Sequence, residues 1–415
     1  MKTYCKISVA ALMMSFGTAF GSGFALYQHS AHSHALGGTV IGKAVDASAN
    51  FFNPATLSDL TNVQFTVGFI TEHPRGNVRV NGKEESMDPG LFWLPHFQLA
   101  VPLPADFTFG LGFSPEFGLG SHYDDTWEMD WNSTETTVQG YEICPNIAYR
   151  ITKDWSIGVG LRWLYFDFEQ YKAPYADAYG YNSFEYRLKG NNNFNSFGYQ
   201  IGTKYNILDN LSVGLVYKSA IDVTVDGKTT MGVRTALPGY AAALRQVALA
   251  RTGGADADLT LPRSLTFGVN WDITDTWHTG LSASWTQWSE MNTLNFHVQP
   301  STQAVGLHWE DTWRFTWGLQ WDFAEDWSWM LGYVYDMDST SEEQTSTMLP
   351  PAARHIASTG FSWNLWKGLE ISVSYACIFM HGNSMDTTDD FGKSYHLETC
   401  RGFCHAGGVS LTYRF

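Results

Sequence analysis

The sequence predicts an all-β protein, a fourteen-stranded antiparallel transmembrane β-barrel with an N-terminal hatch folded into its lumen. Three observations lead there. Segments of apolar–polar alternation recur along nearly the whole chain. The connections between them alternate short and long. The last segment, His405–Phe415, places Val409, Leu411, Tyr413 and Phe415 on one face and Ser410, Thr412 and Arg414 on the other. A strand facing lipid on one side and water on the other has this two-residue period. A soluble sandwich can end the same way, so the weight falls on the repetition.

The chain opens with Lys2 and Lys6, an apolar run from Ile7 to Phe20, and the small-x-small site Ala19-Phe20-Gly21. The run is too short to span a bilayer, so residues 1–21 read as a secretory signal peptide and the mature chain is expected to start near Ser22. No later stretch reaches the ~18 apolar residues of a membrane helix. A secreted chain can still span a membrane as a closed barrel, which leaves no backbone edge unpaired in lipid. Residues 22–62 fit no strand ladder. They are small, apolar and turn-rich, unlike a charged tail, and are expected to pack as the hatch. The barrel is expected over residues 63–415.

The wall strands show their phase directly. Phe107, Phe109, Leu111 and Phe113 alternate with Thr108, Gly110, Gly112 and Ser114. Trp155, Ile157, Val159, Leu161, Trp163 and Tyr165 alternate with small or polar residues, and so do Trp277–Trp285 and Trp313–Phe323. A helix tolerates neither this period nor so many interior glycines. Short Asp/Asn/Pro/Gly turns fall at 103–106, 152–154, 208–210, 274–276, 324–326 and 365–368. Long loops fall near 73–92, 117–137, 173–193, 228–258, 291–305, 339–352 and 382–402. Six short turns and seven long loops join fourteen strands, with both ends on the periplasmic side.

Composition narrows the class. Seventeen Trp suit aromatic girdles at two membrane interfaces better than a soluble core. A net charge of −16 argues against nucleic acid as a partner. Acidic outer loops can meet cation-bridged lipopolysaccharide, or simply stay soluble. The terminal Phe415 strand resembles the signal that outer-membrane barrels present to their assembly machinery. No Gly-x-Ser-x-Gly and no glycine-rich phosphate loop is present, so neither catalysis nor a cofactor is expected. His29, His32 and His34 can be read as a metal-binding tract or as satisfied hatch histidines; no metal site is assigned. Cys400 and Cys404 are close enough for a disulfide in an oxidising compartment, although spacing does not settle the geometry. Cys144 and Cys377 read as small wall residues.

Three further features stand out. The third strand runs from Phe107 into Phe113-Ser114-Pro115-Glu116-Phe117-Gly118-Leu119-Gly120. Pro115 cannot donate a ladder hydrogen bond, and Gly118 and Gly120 weaken pairing, so the strand either kinks there or ends in its outer loop. The fourth outer loop holds Tyr240, Leu244, Val247 and Ala248 on one helical face, the pattern of a short amphipathic lid. Asn53-Pro54-Ala55 follows Asp46 in the hatch, where Pro54 fixes a turn and Asn53 can bond its own neighbouring backbone.

These residues carry a resemblance. The segments Ser22–Ser30, Asp46–Leu57, Leu261–Gly268, Trp285–Ser289, Trp309–Phe315 and Leu331–Asp336 together resemble the FadL/TodX family of outer-membrane transporters for long-chain fatty acids and other hydrophobic compounds. The resemblance covers essentially the whole mature chain. It implies a hatch-plugged fourteen-stranded barrel, ligand near Phe24, an outer hydrophobic groove at Tyr240, Leu244 and Val247, and lateral exit through a kinked third strand at Ser114, Pro115, Gly118 and Gly120. It implies hydrophobic small molecules as partners of a monomer in the bacterial outer membrane. The alternatives are a channel for monoaromatic or alkane hydrocarbons, and a general porin. Apolar lumen positions at Leu164, Met330 and Val334 count against a porin, whose lumen is charged.

Overall fold

The computed structural model describes residues 23–415 apart from 89, 178, 292, 299–300, 307–308, 340–352, 383, 390 and 400–401. The expected signal peptide lies outside them. The described residues form a closed wall of fourteen antiparallel strands. They are β1 (Gln64–Val80), β2 (Phe92–Pro102), β3 (Phe107–His122), β4 (Glu135–Arg150), β5 (Trp155–Lys172), β6 (Ser196–Leu208) and β7 (Leu211–Lys218), then β8 (Ser264–Asp272), β9 (Trp277–Thr286), β10 (Thr312–Ala324), β11 (Trp327–Asp336), β12 (Arg354–Trp366), β13 (Leu369–Met380) and β14 (Gly402–Arg414). Each pairs with the next, and β14 closes on β1 from Arg414↔Gln64 to Phe403↔Arg75. Phe415 continues the closure, its N–H donating to the Val63 carbonyl at 2.9 Å.

The alternation predicts the facing of the side chains. Leu164, Met330 and Val334 are buried in the lumen, while Val159, Leu161, Leu281 and Val373 are exposed on the wall. Aromatics mark both rims: Trp277 stacks on Trp321 and Trp327 on Trp363, each at 5.1 Å, and Phe113 stacks on Tyr141 at 5.7 Å towards the other end.

Five of the outer segments expected as loops contain strands. Residues 73–87 form a hairpin turned at Asn81-Gly82, which both take positive φ (49° and 85°). Asn-Gly is the residue pair such two-residue turns favour. Ser183–Asn191, Ile221–Thr235, Gly253–Leu261, Thr293–Val298 and Ser301–Gly306 likewise extend the sheet above the wall. The physical reason is continued alternation: Ile221, Val223, Val225, Leu259 and Leu261 stay buried on one face while Asp222, Thr224 and Asp226 are exposed on the other. Between 235 and 253 lies α3 (Ala241–Ala250), numbered after the two hatch helices α1 (Ala31–Ala35) and α2 (Ala49–Phe52).

Residues 23–62 fill the lumen. Ser30 caps α1, its hydroxyl accepting the Ser33 N–H. A 3₁₀ turn, Pro54–Asp59, follows α2. Ion pairs tie this hatch to the wall near its lower end: Lys43 to Asp272 at 2.6 Å, and Asp59 to Lys204.

Candidate functional site

The third strand kinks and does not end. Glu116 is an extra residue in the β3–β4 ladder, which steps from Pro115↔Tyr141 to Phe117↔Gly140. Such a bulge bends the strand that carries it. On the other side β3 pairs with β2 only from Pro102↔Thr108 to Phe97↔Phe113. Above Phe113 the two strands part. The hatch takes the open edge: the Leu26 N–H donates to Glu116 O at 2.8 Å, the Gly118 N–H donates to Phe24 O at 2.9 Å, and Ala25 bridges Phe117. The missing side chains make room. A Cβ on Gly118 would lie 2.7 Å from Leu26 Cδ1, and one on Gly120 would lie 2.1 Å from the Phe92 ring. A cavity of about 100 Å³ remains in the gap, lined by Leu26, Phe92, Pro115, Gly118 and Gly120 among others. Ser114 sits at the inner edge of this kink and is fully buried.

Phe24 projects into an aromatic chamber. Its ring centroid is 5.4 Å from Trp288, 5.5 Å from Phe117 and 6.3 Å from both Phe166 and Trp309. The chamber wall rises through Leu188, Val223 and Val225. Tyr186 packs against both this cluster and an outer one holding Phe184, Met231 and Leu244, so apolar side chains lead without a break to α3. On α3 the expected face divides: Leu244 and Ala248 are buried, Val247 is partly buried, and Tyr240, at the N-cap, is exposed.

Below the chamber lies a charged floor. Arg162 grips Glu142, with Nε donating to Oε2 at 3.0 Å, and its Nη1 donates to Ser219 O at 2.9 Å. Lys218 pairs with Glu116. Arg314 differs. Its guanidinium stacks 3.5 Å from the Tyr27 ring centroid, and among the described residues no carboxylate lies within salt-bridge distance. Its Nε is buried without a hydrogen-bond partner. These groups border a small cavity of about 60 Å³ with Ala25, Tyr27 and Phe117. Buried Arg162 and Arg314 and partly buried Lys218 therefore face Glu142 and Glu116, with buried Asp336 opposite Arg314 in the ladder. A buried cation outside salt-bridge distance of a carboxylate is costly, and an incoming anion relieves that cost.

The hatch histidines serve as separate anchors. His29 reaches the kink, with Nδ1 2.9 Å from Ser114 Oγ and Nε2 3.3 Å from Glu116 Oε2. Burial holds its pKa well below the usual value. His34 lies against Ser374, and burial lowers it to about 4. His32 reaches Glu370 and Gln320 on other strands. Among the described residues no cluster has the ligands for a metal. Of the expected cysteine pair, Cys400 lies outside the described residues; Cys404 is buried on β14 with a free thiol. Cys144 and Cys377 lie on β4 and β13.

Asn53, Pro54 and Ala55 form the best-seated part of the hatch. Asn53 Oδ1 accepts from Ala55 N–H at 3.0 Å, and its Nδ2 donates to Ile41 O at 2.7 Å and Thr203 O at 3.1 Å. Asp46 is buried nearby, its Oδ1 accepting from Ser48 N–H at 2.8 Å. Wall glycines shape the seat: a Cβ on Gly202 would lie 2.0 Å from Asn53 Oδ1, and one on Gly214 2.1 Å from Ile41 O. Replacing Asn53 with Ala strands these buried partners and is expected to cost about 2–4 kcal/mol, since each unsatisfied group costs about 1–3 kcal/mol. Hydrogen exchange over residues 41–60 checks this; unchanged protection refutes the role.

The sequence names Phe24, the Asn-Pro-Ala turn and the Pro115–Gly120 segment as candidate site residues. It missed Arg162, Lys218 and Arg314 as a group, and Trp288 and Trp309 as chamber walls. One signal was available. Arg162 and Arg314 occupy lumen positions in strands whose phase the alternation had already shown.

A closed membrane-spanning barrel, plugged by a hatch, with an apolar chamber and a gap in its wall, defines an outer-membrane transporter of hydrophobic compounds rather than an enzyme. The chain belongs to the outer membrane protein transport protein family (OMPP1/FadL/TodX), whose model matches residues 12–415. It is 22% identical over 451 residues to the long-chain fatty acid transport protein of Escherichia coli K12, covering 100% of this chain and 98% of the relative. It is 24% identical to outer membrane protein P1 of Haemophilus influenzae, with 99% of each chain covered. In structure it is similar to a Pseudomonas aeruginosa FadL homologue, with a TM-score of 0.82 at 20% identity over 95% of this chain and 100% of that one. The Pseudomonas putida toluene transporter TodX aligns with a TM-score of 0.71 at 16% identity, over 96% and 99%. The protein is an integral outer-membrane protein.

Proposed function

We propose that the protein takes up long-chain fatty acids or closely related anionic amphiphiles by passive diffusion. Outer loops around α3 capture the cargo, the chamber at Phe24 holds it, movement of the hatch frees it, and the gap at the kinked third strand releases it sideways into the bilayer. Burial of the chain contributes about 0.8 kcal/mol per CH₂, enough to draw it from water without an energy source. The observation that carries the choice of cargo is Arg314, a buried cation beside an apolar chamber. Monoaromatic hydrocarbons are the second reading, favoured by the Trp288, Trp309, Phe117 and Phe166 lining of the same chamber. A monomer among outer-membrane lipid and lipopolysaccharide, inserted through its Phe415 strand by the assembly machinery, completes the proposal.

Replacing Arg314 with Gln separates the two readings. A charge-assisted hydrogen bond to a carboxylate contributes roughly 1.5–3 kcal/mol, or about 10–150-fold in affinity. Binding of a fluorescent fatty acid to purified protein is expected to weaken by that factor, and binding of toluene to stay unchanged. Equal affinity of the variant and the parent for the fatty acid refutes the anionic cargo.

A further inference from the structure

Arg314 is not alone on its row of the lumen. On β10, β11 and β12 the residues Arg314, Asp336 and Arg354 are direct ladder partners, so their side chains share one face. Neighbouring strands lie about 4.8 Å apart, which puts the two arginine backbones about 10 Å apart. The arginines line different cavities. Arg314 borders the inner cavity beneath the chamber, and Arg354 borders the gap at Pro115, Gly118 and Gly120. The N-terminal segment divides the two cavities and alternates between them, with Ala25 and Tyr27 facing the inner one and Leu26 the outer. Each arginine also holds that segment: Arg314 stacks on Tyr27, and Arg354 Nη2 donates to the Gly23 carbonyl at 3.2 Å.

We propose that Arg354 is a second carboxylate-binding residue, at the lateral exit, and that the cargo head group passes from Arg314 to Arg354 before release. The proposal rests on the fatty-acid reading above. The head group leaves Arg314 for lipid only at a cost, because that step strips a carboxylate of the cations around the inner cavity. A cation one short step away removes the barrier. Asp336 keeps the empty row near neutrality and separates the two stations. Glu72, which also lines the exit cavity and accepts from Gln28 Nε2 at 2.7 Å, makes the second station a weak one. A release site must be weak. Arrival there also displaces the Gly23 carbonyl, because carboxylate and carbonyl compete for the same guanidinium face. The head group thereby loosens the segment that blocks its own way out.

The test compares two cargoes of equal chain length, a labelled fatty acid and the matching fatty alcohol, in cells carrying wild type, Arg354→Gln or Arg354→Lys. Equilibrium binding of the fatty acid to each purified protein is measured in parallel. Arg354→Gln is expected to bind the fatty acid within about twofold of wild type, yet to take it up at least about tenfold more slowly, while alcohol uptake is unchanged. Arg354→Lys restores much of the loss. Equal slowing of both cargoes reduces Arg354 to a tether for Gly23 and overturns the proposal. Unaltered uptake of both overturns it as well, and so does loss of binding itself. A wild-type protein that binds the two cargoes equally refutes the anionic reading, and that result is visible without any Arg354 variant.

Discussion

Straightening the third strand is expected to abolish uptake. In the double variant Pro115→Val, Gly118→Val, position 115 regains an N–H donor and both positions gain β-branched side chains that favour an extended strand. A side chain at 118 also claims the space of Leu26, whose Cδ1 lies 2.7 Å from where the new Cβ would sit. The N-terminal segment is then displaced from β3, and β3 is free to extend its pairing with β2 beyond Phe97↔Phe113. Uptake of labelled oleate by cells is expected to fall to the level of cells lacking the protein. Heat-modifiable migration on a detergent gel shows whether the barrel has assembled. An assembled variant with wild-type uptake of every hydrophobic cargo sinks the lateral route.

Unseating the hatch is expected to have the second-largest effect. Gly158 on β5 faces the Asn-Pro-Ala turn, and a Cβ there would lie 2.4 Å from Pro54 C and 2.5 Å from Ala55 N. Both are backbone atoms, and no side-chain rotamer relieves the clash. Overpacking of this kind costs about 1–3 kcal/mol or more, and Val at 158 adds two methyls to it. The wall is held by ladders on both sides of β5, so the hatch yields first. The Gly158→Val protein is expected to conduct ions in planar bilayers in steps that the parent lacks, and to admit polar dyes into cells. Parental conductance from a correctly folded variant means that the hatch tolerates the clash, and that its seat does not hold the channel shut.

Much of the wall was legible in the sequence because a lipid-facing strand constrains every second residue. That constraint is local, and a short window reveals it. The fourteen strands and the six tight turns follow from it. The Asn81-Gly82 turn signal is equally local, but the strands beside it carry charges where membrane strands carry aromatics, so the segment resembles a loop. The extended strands from Ile221 and Gly253 were lost for a related reason: alternation persists above the bilayer, but polar residues replace the lipid-facing ones.

The functional chamber is another matter. Phe24, Phe117, Phe166, Trp288 and Trp309 meet around one ring although they are scattered over most of the chain. No periodicity connects them; only closure of the barrel does. The same holds for Arg314, Asp336 and Arg354, whose alignment depends on the register of three strands. A shift of one residue would turn each side chain to the other face. By itself the sequence determined the strand phase, the turn positions and the weak points at Pro115, Gly118 and Gly120, because those depend on backbone chemistry within a few residues. Only the tertiary structure decided that the N-terminal segment pairs with the broken strand and that a buried cation stands beside the chamber. Both depend on contacts between distant segments, and those contacts exist only once the sheet has closed.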